Sequence, residues 1–265
     1  LQNIRFMTEN YSNCVVLLNT GGVIDLTELR KISGVQAILL TGQTGNMGGH
    51  AVADVLMAKT VPSGKLTDTW AKSYDDYPSS RTFSYRDDNL DDEYYSDGIY
   101  VGYRYFDTFD IPVRYCFGHG LSYTEFKYDH LTVSSKELDD ENEIIVEVDV
   151  TNVGACAGKE VVQLYIAAPG KTMVKPQKEL KAFAKTKILA PGESEVVRLV
   201  VGLSELASFD EQASCWAVES GRYLAIWGNS SRDCRLKQSF TLRQAVTGEE
   251  VHRVLLPVRQ LEELY

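Results

Sequence analysis

The stretch Glu143-Ile144-Ile145-Val146-Glu147-Val148-Asp149-Val150-Thr151 decides one half of the fold. Successive side chains of a strand point to opposite faces, so Ile144, Val146, Val148 and Val150 share one face, while Ile145, Glu147, Asp149 and Thr151 share the other. The same period of two recurs downstream, with Val162, Leu164 and Ile166 on one face of residues 161–167. Further runs lie at 194–201, 222–228 and 235–242, separated by the turn signals Asn152-Val153-Gly154, Pro191-Gly192-Glu193 and Glu219-Ser220-Gly221. Short alternating strands repeated over ~115 residues predict an antiparallel β-sandwich of the immunoglobulin or fibronectin III type, placed at 128–243.

Upstream the pattern changes. Cys14-Val15-Val16-Leu17-Leu18-Asn19 and Gln36-Ala37-Ile38-Leu39-Leu40 are continuous apolar runs, which predict strands buried on both faces. A short helix is expected at 26–31. A second is expected at 50–59, where Ala51, Val52, Val55, Leu56 and Ala58 fall near helical spacing. Strand, turn and helix repeated twice read as a partial α/β layer over residues 1–84. The fold class is therefore α/β plus all-β. Two such units cannot cover both faces of a sheet, and the rest of the layer is expected N-terminal to Leu1. The glycines of Thr41-Gly42-Gln43-Thr44-Gly45-Asn46-Met47-Gly48-Gly49 lack the spacing of a dinucleotide fingerprint, and Ser63-Gly64-Lys65-Leu66 lacks the upstream glycine and following Ser/Thr of a P-loop.

Charge and composition exclude several classes. With 27 basic against 37 acidic residues, a net charge of −10 argues against nucleic acid or an anionic membrane as partner. No apolar run approaches a membrane span, and residues 1–20 lack the pattern of a signal peptide. Five cysteines without a C-x-x-C pair favour free thiols in a reducing compartment, hence the cytoplasm over secretion. Four histidines without ligand spacing imply no metal site, and no cofactor motif is present. The segment 244–265 reads as a charged, helix-compatible linker or tail.

Between the two halves, residues 85–127 form an acidic and aromatic crossing segment. Its heart is Tyr95-Ser96-Asp97-Gly98-Ile99-Tyr100-Val101-Gly102-Tyr103-Arg104-Tyr105-Phe106-Asp107, preceded by the acidic run 87–93. Rings beside carboxylates suit a carbohydrate, whose apolar faces stack on aromatics while its hydroxyls meet charged acceptors. The chemistry has to come from carboxylates, since no Ser-His-Asp elbow is present. Asp97 is the first candidate for a general acid/base, because Tyr94, Tyr95 and Tyr100 offer the desolvation that raises a carboxyl pKa. Glu93 is the weaker candidate, Tyr95, Tyr100 and Arg104 are expected to support the substrate pocket, and Arg104 is expected to do so by pairing with a carboxylate or stacking on a ring. Phe117, Leu121 and Tyr123 are expected to anchor the crossing into the sandwich.

This run, followed by Phe117-Gly118-His119-Gly120-Leu121-Ser122-Tyr123-Thr124, resembles the non-barrel half of the family 3 glycoside hydrolases of β-glucosidase type. The segments Thr151-Asn152-Val153-Gly154, Gly158-Lys159-Glu160-Val161-Val162-Gln163-Leu164-Tyr165 and Lys178-Glu179-Leu180-Lys181-Ala182-Phe183 resemble the fibronectin III-like domain of the same family. The resemblance covers about residues 14–242. It implies retaining hydrolysis of a β-linked glucoside or related oligosaccharide, with the nucleophile on a (β/α)8 barrel of the same protein that this chain lacks, and inactivity of this chain alone. Many members carry glutamate where this sequence has Asp97, which is shorter by one methylene, about 1.5 Å. Two other readings stay open: a non-catalytic carbohydrate- or protein-binding module, and a member acting on N-acetylhexosamine whose acid/base lies in the barrel.

Overall fold

A computed structural model describes residues 1–265 except 85, 135, 136, 139–142, 253, 255, 257–260 and 265. The N-terminal layer runs α1 (Gln2–Asn10), β1 (Cys14–Leu18), α2 (Thr27–Arg30), β2 (Val35–Leu40) and α3 (Gly48–Leu56). β1 and β2 pair in parallel, from Cys14 opposite Val35 to Leu18 opposite Leu40. One face of this pair closes a small core in which Leu18, Leu26, Leu29, Ile32 and Trp70 are buried, with Ile4, Val16 and Ile38 against them. The other face is open: Val15 and Leu17 alternate outward on β1 and are exposed. The expectation of strands buried on both faces fails here, because only one side of this two-stranded sheet is covered by described residues. The second helix begins two residues earlier than the periodicity placed it and ends at Leu56, after which Ala58 turns with a positive φ.

After α3 comes β3 (Trp70–Ala71), and the crossing segment contributes α4 (Tyr103–Thr108) and β4 (Val113–Tyr115), with β3 and β4 antiparallel. The sandwich follows as β5 (Phe126–Val133), β6 (Glu137–Leu138), β7 (Glu143–Asn152), β8 (Val161–Ala167), β9 (Glu179–Lys185), β10 (Ser194–Gly202), β11 (Ser208–Asp210), β12 (Cys215–Val218), β13 (Gly221–Gly228), β14 (Cys234–Leu242) and β15 (Val246–Glu250). A three-stranded sheet ordered β10-β7-β5 faces a five-stranded sheet ordered β6-β14-β13-β8-β9. The apolar faces read from the alternation meet between them: Ile144, Val146, Val148 and Val150 from β7 pack with Val162, Leu164 and Ile166 from β8, and with Tyr223, Ala225 and Trp227 from β13. Asn152 closes the end of β7 with every polar atom used. Its amide donates to the carbonyls of Cys156 and Leu189, and its carbonyl accepts from Thr124 Oγ1 and the Gly154 N–H.

Two sequence expectations change. The tail contains no helix among its described residues; Val246–Glu250 is a strand that pairs with β12 in a sheet ordered β11-β12-β15. Leu121 stands in solvent and does not anchor the crossing, whereas Phe117 is half-buried against Tyr103, with ring centroids 4.8 Å apart.

β8 departs from simple alternation in a way that positions everything upstream of it. Its outward residues Gln163 and Tyr165 are also buried, because the crossing segment lies over them. Tyr103 meets the Tyr165 ring edge-on at 5.8 Å, and Gly118, at φ +80, sits so close that an added Cβ would overlap the Gln163 carboxamide. That carboxamide is committed already, donating to the Asn229 carbonyl and accepting from the Tyr165 hydroxyl. Gly118→Ala therefore has to lose at least about 1–2 kcal/mol from the left-handed backbone alone, with the overlap added, as measured by urea denaturation. Trp227→Ala, which empties a fully buried site in the core, is expected to cost about 3–5 kcal/mol in the same assay.

Candidate active-site loop and its relatives

Asp97 opens a tight turn. Its carbonyl accepts the Tyr100 N–H at 2.9 Å, and Gly98 supplies φ +55 inside the turn. Tyr100 is 4% exposed, with its ring edge-on to Phe109 at 4.9 Å, so the far side of the turn is pinned to the end of α4. The Asp97 side chain is only partly covered, yet its Oδ1 is buried with no hydrogen-bond partner among the described residues. Burial raises its pKa above the ordinary carboxylate value, because the charged form loses hydration that nothing replaces.

The other predicted residues are placed less evenly. Arg104, on the first turn of α4, pairs with Glu179 on β9 at 3.3 Å, as its sequence setting implied. Glu93 is exposed, and its Oε2 accepts the Ser84 N–H. The acidic run around it is organised by its own side chains: Asp87 accepts from the Asn89 N–H, and Asn89 accepts from the N–H groups of Asp91 and Asp92. Tyr95 is 82% exposed. The structure thus brings Asp97, Tyr100 and Arg104 onto one turn-helix unit, and leaves Glu93 and Tyr95 on its solvent side.

Two features escaped the sequence reading. Leu264 N–H donates to the Ser96 carbonyl at 3.1 Å, and Glu263 lies so near Gly98 that a Cβ there would meet its Oε2 at 3.0 Å. The tail therefore returns to the Asp97 turn, which no local pattern could announce. A cleft of about 180 Å³ lies at the ends of β1 and β2, lined by Thr20, Gly21, Leu40, Thr67, Asp68 and Trp70 among others. None of the five predicted residues lines it, so the cleft and the candidate carboxylate are separate features. Among the described residues no three His, Cys, Asp or Glu side chains converge as metal ligands, and no helix is long and apolar enough to cross a membrane.

A glycine-supported turn carrying a partly desolvated carboxyl thus lies in the chain between a partial α/β layer and a β-sandwich. Residues 2–103 match the glycosyl hydrolase family 3 C-terminal domain, and residues 160–231 match a fibronectin type III-like domain. The chain belongs to the family 3 glycoside hydrolases. It is 39% identical to beta-glucosidase A of Butyrivibrio fibrisolvens, over 96% of this chain and 32% of that protein. It is 36% identical to a beta-glucosidase of Ruminococcus albus, over 98% of this chain and 27% of the relative. Among solved structures, beta-glucosidase 3B of Thermotoga neapolitana in complex with α-D-glucose superposes with a TM-score of 0.81 at 43% identity, covering 89% of this chain and 32% of that one. A beta-glucosidase from Paenibacillus barengoltzii superposes with a TM-score of 0.88 at 36% identity, over 97% of this chain and 29% of its own. The chain spans about a third of the length of these relatives.

Because the folded state disfavours the Asp97 carboxylate, it carries a cost at neutral pH that disappears as pH falls through the raised pKa. Asp97→Asn is accordingly expected to raise the melting temperature at about pH 7, with the gain vanishing toward about pH 3, as read by scanning calorimetry across that range.

Proposed function

We propose that this chain is the accessory half of a retaining β-glucosidase-like hydrolase, in which Asp97 is the general acid/base. The nucleophile lies on a (β/α)8 barrel of the same protein. Retention needs two carboxyl groups about 5–5.5 Å apart, one attacking the anomeric carbon and one protonating the departing oxygen. The observation that carries the reading is the Asp97 carboxyl itself: it sits at the family's motif position, with a buried oxygen that has no hydrogen-bond partner among the described residues and a raised pKa. A proton donor must hold its proton near the working pH, and desolvation serves that need. In the second half of the reaction the same carboxylate takes a proton from the attacking water. The open apolar face at Val15 and Leu17 supports a further layer of protein packed there. The beta-glucosidase relatives support a β-linked glucoside or related oligosaccharide as the substrate.

The shorter aspartate changes what the barrel must do. With one methylene fewer than glutamate, the donor reaches the glycosidic oxygen only if the turn sits about 1.5 Å nearer to the barrel. A non-catalytic binding module is the competing reading, favoured by that departure together with the exposure of Tyr95 and Glu93.

Aryl β-glucoside hydrolysis by the 265-residue chain and by the complete protein separates these readings. An active complete protein with a silent chain is expected, and a silent complete protein favours the binding module. In the complete protein, Asp97→Asn is expected to remove the alkaline limb of the pH profile of kcat/KM and to lower it about 10²–10⁴-fold for poor leaving groups. Unchanged kinetics would take Asp97 out of the mechanism.

A further inference from the structure

A proton donor on a loop is only as well aimed as the loop's anchors, and the anchors of the Asp97 turn lie almost wholly in the fibronectin III-like domain. The turn runs through Gly102, at φ +59 and ψ −131, directly into α4. Four consecutive residues at the entry to β9 each hold one residue of that six-residue helix. The Gln177 N–H donates to Thr108 Oγ1 at 2.9 Å, and Lys178 Nζ lies 3.2 Å from Asp107 Oδ2, an ion-pair contact outside hydrogen-bond geometry. Glu179 pairs with Arg104, and the Leu180 N–H donates to the Tyr103 hydroxyl at 2.7 Å.

Arg232, in the turn between β13 and β14, completes the clamp. Its Nε donates to Asp107 Oδ1 at 2.7 Å, while its Nη2 donates to the carbonyls of Phe106 and Ile111. The Asp107 and Lys178 side chains are 4% and 7% exposed. A six-residue helix has too little of its own to hold an orientation, since even helices of about 12–15 residues are marginal without packing. Buried, hydrogen-bonded charges lock one geometry more strictly than apolar contacts do, because any slip leaves a charge unpaired in a poorly hydrated site.

We infer that the 177–180 edge and Arg232 of the β-sandwich are a positioning device for Asp97, fixing the distance from the proton donor to the glycosidic oxygen through α4. The inference rests on Asp97 being the acid/base. Asp107 and Arg232 touch no substrate in it; they act through the helix.

The test is a leaving-group series on the complete protein. A poor leaving group such as an alkoxide needs the donated proton in the transition state, whereas dinitrophenolate departs without it. Arg232→Met is expected to lower kcat/KM about 10²-fold for methyl and phenyl β-glucosides, the usual cost of misplacing a group by about 1 Å, while leaving dinitrophenyl β-glucoside within about threefold. Arg232→Lys, which keeps the charge and one donor, is expected to restore part of that loss. Should Arg232→Met fail to fold, Tyr103→Phe removes the hydroxyl that accepts the Leu180 N–H and lies beside Arg104, and is expected to show the same selectivity in weaker form. Equal losses on every leaving group, or none, overturn the inference and leave the clamp a purely structural joint. Asp97→Asn run beside these variants separates the two ideas. If it lacks leaving-group dependence, the acid assignment falls and the inference with it; if it alone shows the dependence, only the inference falls.

Discussion

The rest of the structure depends on the doubly buried strand β8. One face of it belongs to the sandwich core through Val162, Leu164 and Ile166. The other is covered by the crossing segment, where Tyr103, Phe117 and Gly118 close over Tyr165 and Gln163. A strand at such a boundary cannot have a polar outer face exposed to water; its two outward polar groups satisfy one another, the Tyr165 hydroxyl donating to Gln163 Oε1 at 2.6 Å. Burial pushes the Tyr165 phenol well above its ordinary value, so it stays a neutral donor throughout the physiological range. The α/β layer is tied to the same junction. Gly118 and Leu66 exchange backbone bonds with the partners on either side, Gly118 N–H to Leu66 carbonyl and Leu66 N–H to His119 carbonyl, each at 2.8 Å.

Electrostatics sharpen what packing begins. Lys65 pairs with Glu160 at 2.9 Å where both side chains are nearly buried, adding to the charged contacts of Asp107 with Arg232 and Lys178 and of Arg104 with Glu179 across the junction. Such pairs add little net stability, since desolvation consumes most of the Coulombic gain, but removing one partner leaves an expensive lone charge. Their effect is therefore on geometry: they penalise every arrangement but one. His119, stacked on Tyr115 at 5.0 Å, shows the same logic from the neutral side, since burial, aided by nearby Lys65, holds its pKa below the ordinary value.

The sandwich was legible because its physics is local in sequence. Alternation over Glu143 to Thr151 writes the buried face directly, and that face is the one the structure buries where β7 pairs with β10. The motif around Asp97 was legible by resemblance, and Arg104 pairing with a carboxylate followed from its charge among rings. What stayed hidden was relational. No pattern in Gln177 to Leu180 announces that each residue holds one of α4, and nothing near Val246 signals a strand partner as distant as β12. The open face at Val15 and Leu17 misled for a similar reason: an apolar run reports that a residue needs covering, not which segment covers it. Lys65 shows the converse, a residue weighed for phosphate binding that serves instead as the buried partner of Glu160.

For the acid/base proposed at Asp97, a short side chain makes the joint more consequential than a long one. Glutamate has an extra rotatable bond with which to absorb a small error in backbone placement, whereas aspartate transmits the error almost whole to its carboxyl oxygens. The Asp97 turn is correspondingly held at both ends, by Tyr100 against Phe109 on the helix side and by the Leu264 N–H on the Ser96 carbonyl on the other. Gly98 supplies its positive φ inside the turn and Gly102 its own where the chain enters α4, conformations that glycine adopts without strain. Flexible residues set between fixed points give a turn its shape, and the fixed points give it a position. In this chain those points belong to the end of α4 and to the tail, and α4 is itself held by the β-sandwich, so the orientation of the carboxyl is decided mainly outside the α/β layer.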